Sequence, residues 1–302
     1  MAPAPLRVSS RRRRGPLHAG CEVASLQKRR KMKWLIVVLL LLIPTTADAI
    51  VIRDDVPDAR YRVSAAAFPA LVDLPYEGQG VLIAPRWVVT AAHAVGWQTD
   101  MGMKIKEVTI EGIPRAVERV IVYPGYKTIP NELINGALKT GDASQAMKFH
   151  MSSNDIALLK LAAPVRDVTP AQLYTGDVQV GEVVEIIGKG ATGTGLSGFG
   201  SRSSHRTALR RAFTRLSSVQ DRWLAYTFEK PPSALPLEGM AGSGDSGGPV
   251  LVNVQGQRQV AALASFKFVN GDARAFHDGL YGTTTYNVRV SFYKPWIDST
   301  MR

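Results

Sequence analysis

Gly244-Asp245-Ser246-Gly247-Gly248-Pro249 is the stretch on which the reading of the fold turns. Its serine stands among small and acidic residues, outside any apolar periodic run. A nucleophilic serine needs a tight turn that holds its hydroxyl out of the fold. Flanking glycines let backbone N–H groups come close to a developing oxyanion. A hydroxyl alone is a weak nucleophile, so it needs a base, and the base needs an orienting carboxylate. The chain supplies both in fitting settings: His93 in Thr90-Ala91-Ala92-His93, and Asp155 ahead of the apolar run Ile156-Ala157-Leu158-Leu159. A charged Asp155 at a buried strand entry requires a partner there.

Trp87-Val88-Val89-Thr90-Ala91-Ala92-His93, Asn154-Asp155-Ile156-Ala157-Leu158-Leu159 and Gly244-Asp245-Ser246-Gly247-Gly248-Pro249, in that order, strongly resemble the chymotrypsin/trypsin family of serine endopeptidases. One such hexapeptide could arise by chance in a glycine-rich chain, but three in order, roughly 60 to 90 residues apart, do not. The resemblance covers residues 50 to 302. It implies an all-β fold of two antiparallel β-barrels, about 50–165 and 166–302, with the active site in the cleft between them. It also implies the roles: Ser246 as nucleophile, His93 as general base and then acid, and Asp155 as the group that orients the imidazole. The backbone N–H groups of Gly244 and Ser246 would form the oxyanion hole, and Ser265 would support Asp155.

The same resemblance bears on specificity. Met240, six residues before Ser246, falls at the base of the substrate pocket, where relatives that cut after Lys or Arg carry an aspartate. With no carboxylate there, the expected residue before the scissile bond (P1) is apolar or small. Lys267 and Thr285, with Ser265, complete the expected pocket. Lys267 and Thr285 stand where glycines are usual and would narrow it, and Lys267 would favour an acidic P1.

The net charge of +12 does not point to a nucleic acid. Ten of the 37 Lys/Arg lie in residues 1 to 49 against Glu22 and Asp48, which leaves 27 basic against 23 acidic side chains in residues 50 to 302. That is an ordinary surface balance. Lys28 to Lys33 precede the apolar run Trp34 to Ile43, followed by Pro44-Thr45-Thr46 and Ala47-Asp48-Ala49. A basic start, a short apolar run and an A-x-A site read as a secretory signal peptide, with Met32 as its start and residues 1–31 as an upstream extension. The run is too short to span a bilayer, so a secreted or periplasmic protein without a stable membrane anchor is expected.

Cleavage after Ala49 exposes Ile50-Val51. In the resembling family such an end folds inward, and its ammonium pairs with the aspartate before the catalytic serine, here Asp245. The single cysteine is Cys21, so residues 50–302 can form no internal disulfide. This departs from the family's secreted members and gives the chain a bacterial look.

Short strands punctuated by turns run from residue 60 onward. Candidates are 68–72, 80–83, 87–89, 106–110, 116–122, 156–161, 178–187, 208–216, 223–228, 250–252, 260–268 and 283–290. Residues 124–153 read as an enlarged, irregular surface loop that either shapes the substrate cleft or decorates the surface, with decoration favoured, and 191–204 as a Gly/Ser-rich loop. Phe292, Trp296 and Ile297 mark a short terminal helix. His18, His150, His205 and His277 have no partner motif and read as surface residues. No metal-ligand spacing and no phosphate-binding loop occur, so no cofactor is expected. The expected partners are a protein or peptide substrate and a proteinaceous inhibitor. Two other classes fit parts of the pattern. One is a peptide-binding protease relative whose pocket is closed by Lys267 and Thr285. The other is an esterase, whose α/β surroundings are missing.

Overall fold

The computed structural model describes residues 50–100, 104–200 and 208–302. The leader, the signal peptide, Cys21 and the stretch around His205 lie outside these residues. Strand β1 (Ile50–Ile52) opens the described chain. The first barrel follows as β2 (Leu71–Asp73), β3 (Gln79–Ala84), β4 (Trp87–Thr90), β5 (Glu107–Ile110), β6 (Ile113–Val122) and β7 (Ala157–Leu161), closed in the order β2-β3-β4-β7-β6-β5. The β7 strand is fixed on both edges: Leu158 stands opposite Val89 of β4 and Ile121 of β6. Val88, Val89, Leu158, Leu159 and Leu161 are inaccessible to solvent. Each such side chain contributes about 1.5–3 kcal/mol on burial, so this strand pair anchors the barrel.

The second half contains β8 (Gln172–Leu173), β9 (Val183–Gly188), β10 (Thr192–Thr194), β11 (Arg210–Val219), β12 (Trp223–Thr227), β13 (Gly239–Met240), β14 (Pro249–Val254), β15 (Gln257–Phe268) and β16 (Thr284–Arg289). Strands β14-β9-β11-β12-β16-β15 form a second six-stranded ring, closed where β14 pairs with β15, and β8 adds in parallel to β15. Along β11, Arg210, Ala212, Thr214 and Leu216 turn inward while their neighbours turn out, the period-2 pattern of a half-buried strand. Arg210 is fully buried and carries its charge on Asp58 at 2.5 Å. β1 lies between β10 and β13, with Ile50 opposite Thr192 and Val51 opposite Met240.

Two expectations need correction. Residues 124–153 are not irregular. After α1 (His93–Asp100), they fold into α2 (Asn131–Thr140) and α3 (Ser144–Ser152). Glu132 and Lys139 suit the two ends of the α2 dipole, and Gly141 closes the helix at φ +83°, a left-handed cap that favours glycine. The two helices pack through Ala137, Ala143, Ala146 and Met147, an apolar set too sparse to stand out among Asn, Gly, Lys and Thr. Residues 191–204 contain strand β10. The expected short terminal helix is present as α4 (Val290–Met301), which turns Val290, Tyr293 and Ile297 inward and leaves Phe292 exposed.

Candidate active site

β4 delivers His93. The strand ends at Thr90, and the buried Ala91-Ala92 turn leads into α1, which begins at the histidine. Asp155 precedes β7, the neighbour of β4, so the two pairing strands bring their ends together. The result is a double attachment: His93 Nδ1 lies 2.7 Å from Asp155 Oδ2, and the His93 backbone N–H donates to Oδ1 at 2.7 Å. Ser265 of β15 donates its hydroxyl to Oδ2 from the second barrel. Asp155 is almost wholly buried, and its acceptors are met by donors from both barrels.

Burial opposes the charged forms of both partners, and their mutual interaction outweighs it. The His93 pKa is raised above its ordinary value because the charge and hydrogen bond of Asp155 exceed the desolvation penalty. The Asp155 pKa is held below the usual carboxylate range, since His93 and Ser265 more than offset its burial.

Ser246 sits on the turn between β13 and β14. Gly244 and Gly247 take φ of +88° and +77° there. A Cβ at Gly247 would collide with Thr90 Oγ1 and the Gln79 carbonyl, so only glycine lets this loop lie against β3 and β4. Ser246 and His93 line one cavity of about 200 Å³ with Glu77, Gly78 and Ala94. Among the described residues no hydrogen bond joins the two, a spacing common in such sites without substrate. The N–H groups of Asp245, Gly247 and Gly248 donate to Gly242, Ala264 and Asp245 carbonyls. Those of Gly244 and Ser246 have no acceptor among the described residues.

Asp245 is buried, and its carboxylate accepts from Gly190 N (2.7 Å), Gly242 N (2.9 Å) and Gln79 Nε2 (2.9 Å). Burial is the larger influence and raises its pKa despite these bonds. Ile50 is buried in β1. Met240 lies buried in β13, and Thr285 stands buried opposite Lys267. Lys267 Nζ reaches Asp278 at 3.8 Å.

One wall of the cleft comes from the 124–153 segment, for which the sequence reading favours decoration over a part in the cleft. A second cavity, about 310 Å³, joins His93, Asp155, Ser265 and Phe266 to Phe149 and His150 of α3. His150 stacks on Phe266, ring centres 4.9 Å apart. Its pKa is lowered, first by burial. The insertion is tied down by Trp223 Nε1 donating to the Met151 carbonyl at 2.9 Å. The 124–153 segment is therefore more than decoration, and His150 is a half-buried residue of the cavity wall instead of a free surface side chain. The adjacent pair Phe149-His150 was the available signal, but nothing local ties it to His93.

Two closed barrels, with a serine turn from one and a paired histidine and aspartate from the other meeting at a cleft, define a serine protease of the two-barrel class. Residues 59–297 match the family model described as Trypsin, and the chain belongs to that family. It is 26% identical over 232 residues to the Trypsin of Phaedon cochleariae, covering 72% of this chain and 76% of that one. It is 28% identical over 237 residues to Serine protease SP24D of Anopheles gambiae, covering 74% and 71%. The chain is a serine-type endopeptidase.

Proposed function

We propose that the protein is a secreted endopeptidase that works through His93, Asp155 and Ser246. His93 takes the Ser246 proton as Oγ attacks the scissile carbonyl, then gives it to the leaving amine. The acyl group on Ser246 is released by water that His93 activates, and Asp155 holds the imidazole in the required tautomer. The free N–H groups of Gly244 and Ser246 receive the oxyanion. The observation that carries this reading is the Ser265–Asp155–His93 chain of hydrogen bonds ending at the cavity that Ser246 shares.

The P1 side chain is not Lys or Arg, because by the family resemblance apolar Met240 falls where a carboxylate would be needed. Secretion rests on the sequence of residues 32–49, and among the described residues no helix is long and apolar enough to cross a membrane. Cleavage between Ala49 and Ile50 would free an ammonium for Asp245. In the continuous chain Ile50 has φ +64°, an outlier for a β-branched residue, and cutting the bond before it removes that constraint. Incubating the protein with a serine-directed phosphonate should add one adduct, on Ser246. An adduct elsewhere, or none on folded protein, would refute the assignment.

A further inference from the structure

Gln79 is wholly buried at the start of β3. All of its groups but one serve the serine turn or the histidine strand. Its backbone N–H donates to the Ser246 carbonyl at 2.7 Å. Its side-chain Nε2 donates to Asp245 Oδ1 at 2.9 Å. Its own carbonyl accepts from Thr90 Oγ1 at 2.6 Å, three residues ahead of His93. Oε1 is buried with no donor among the described residues. The amide is therefore placed by what Nε2 does. Turning it over would set Oε1 against a carboxylate oxygen, acceptor on acceptor.

Asp245 is bonded by Gly190, Gly242 and Gln79, and Gln79 is the one of the three that donates from a side chain. We propose that Gln79 is a positioning residue that holds Asp245, and with it the Gly244–Ser246 turn. This rests on the protease reading above and deepens it. A free Ile50 ammonium would share the hold on Asp245.

A two-by-two labelling experiment tests this. One pair is the full chain with Gln79 or Gln79→Leu, and the other is the same two residues in a chain begun at Ile50. Residues 47–302 form one compact unit that contains every described element, so the shorter chain keeps the fold. The readout is the second-order rate of phosphonate addition at Ser246. Gln79→Leu is expected to slow the chain begun at Ile50 by about tenfold and to slow a reactive full chain by more, because only the shorter chain has an ammonium that also holds Asp245.

The Gln79→Glu variant guards against a folding defect. It sets two carboxyls together, so its rate relative to the parent should recover as pH falls and one of them takes a proton. A merely structural role would leave that ratio flat. Gln79→Leu without effect in every chain that reacts overturns the proposal while the protease reading stands. No labelling in any chain overturns both.

Discussion

His93 and Asp155 are joined twice, ring nitrogen to Oδ2 and backbone N–H to Oδ1, both at 2.7 Å. The carboxylate thus fixes where the histidine lies as well as which nitrogen carries its proton. Asp155→Asn keeps the size but offers an amide donor to the ring. The expected outcome is a fall in kcat of about 10⁴-fold with the fold retained, read by steady-state kinetics beside a thermal melt.

With His93 as the proposed base, its raised pKa should set the acid limb of activity. Neutral imidazole is the working form, so the phosphonate rate should fall as pH drops through a midpoint above the ordinary 6.5. For stability the sign is reversed. The proton bound more tightly in the folded state stabilises below about 6.5, and that contribution is lost as pH rises through the raised value. Asp155, with its lowered pKa, stabilises above the ordinary 3.8 and loses this as pH falls through its folded value. Rate–pH profiles and urea melts at several pH values check both.

Ser265→Ala removes the Asp155 contact made from the second barrel. The remaining buried charge loses one hydrogen bond, worth about 1.5–3 kcal/mol. Folding stability should fall by that order in urea, and the Asp155 pKa should rise. Unchanged stability would mean that water replaces the hydroxyl.

Lys267 governs the expected choice of P1. Lys267→Ala should cut kcat/KM for peptides with Asp or Glu at P1 by about tenfold while sparing those with Ala or Val. Competition between paired peptides of the two kinds reads the ratio directly. An equal effect on both would place Lys267 outside the pocket.

Phe149 lines the larger cavity beside His93. Phe149→Ala should raise KM for peptides with a large apolar residue on the amino side of P1 and leave the phosphonate rate within about threefold. Matched loss in both assays would show a disturbed His93 instead.

Most of the barrels was legible because strand runs such as Val88-Val89 and Leu158-Leu159 are apolar and bounded by turn residues. The three segments proposed as catalytic stand out in the sequence because each places an unusual residue against a small or buried context. The α2–α3 insertion was not. Its buried set reduces to Ala137, Ala143, Ala146 and Met147, and its packing is supplied by Trp223 and Phe266 from the other barrel. The role of Gln79 was equally hidden, since a lone glutamine opening a strand carries no periodic signal. Its partners Asp245 and Ser246 lie about 170 residues away and meet it only through barrel closure.

The most direct test is cleavage of a diverse peptide mixture, read by mass spectrometry, with Ser246→Ala as control. The parent protein should cut, with no enrichment of Lys or Arg before the scissile bonds, and the control should leave the mixture intact. Equal cutting by both proteins would contradict Ser246 as the nucleophile, and a folded parent that cuts nothing would contradict the activity itself.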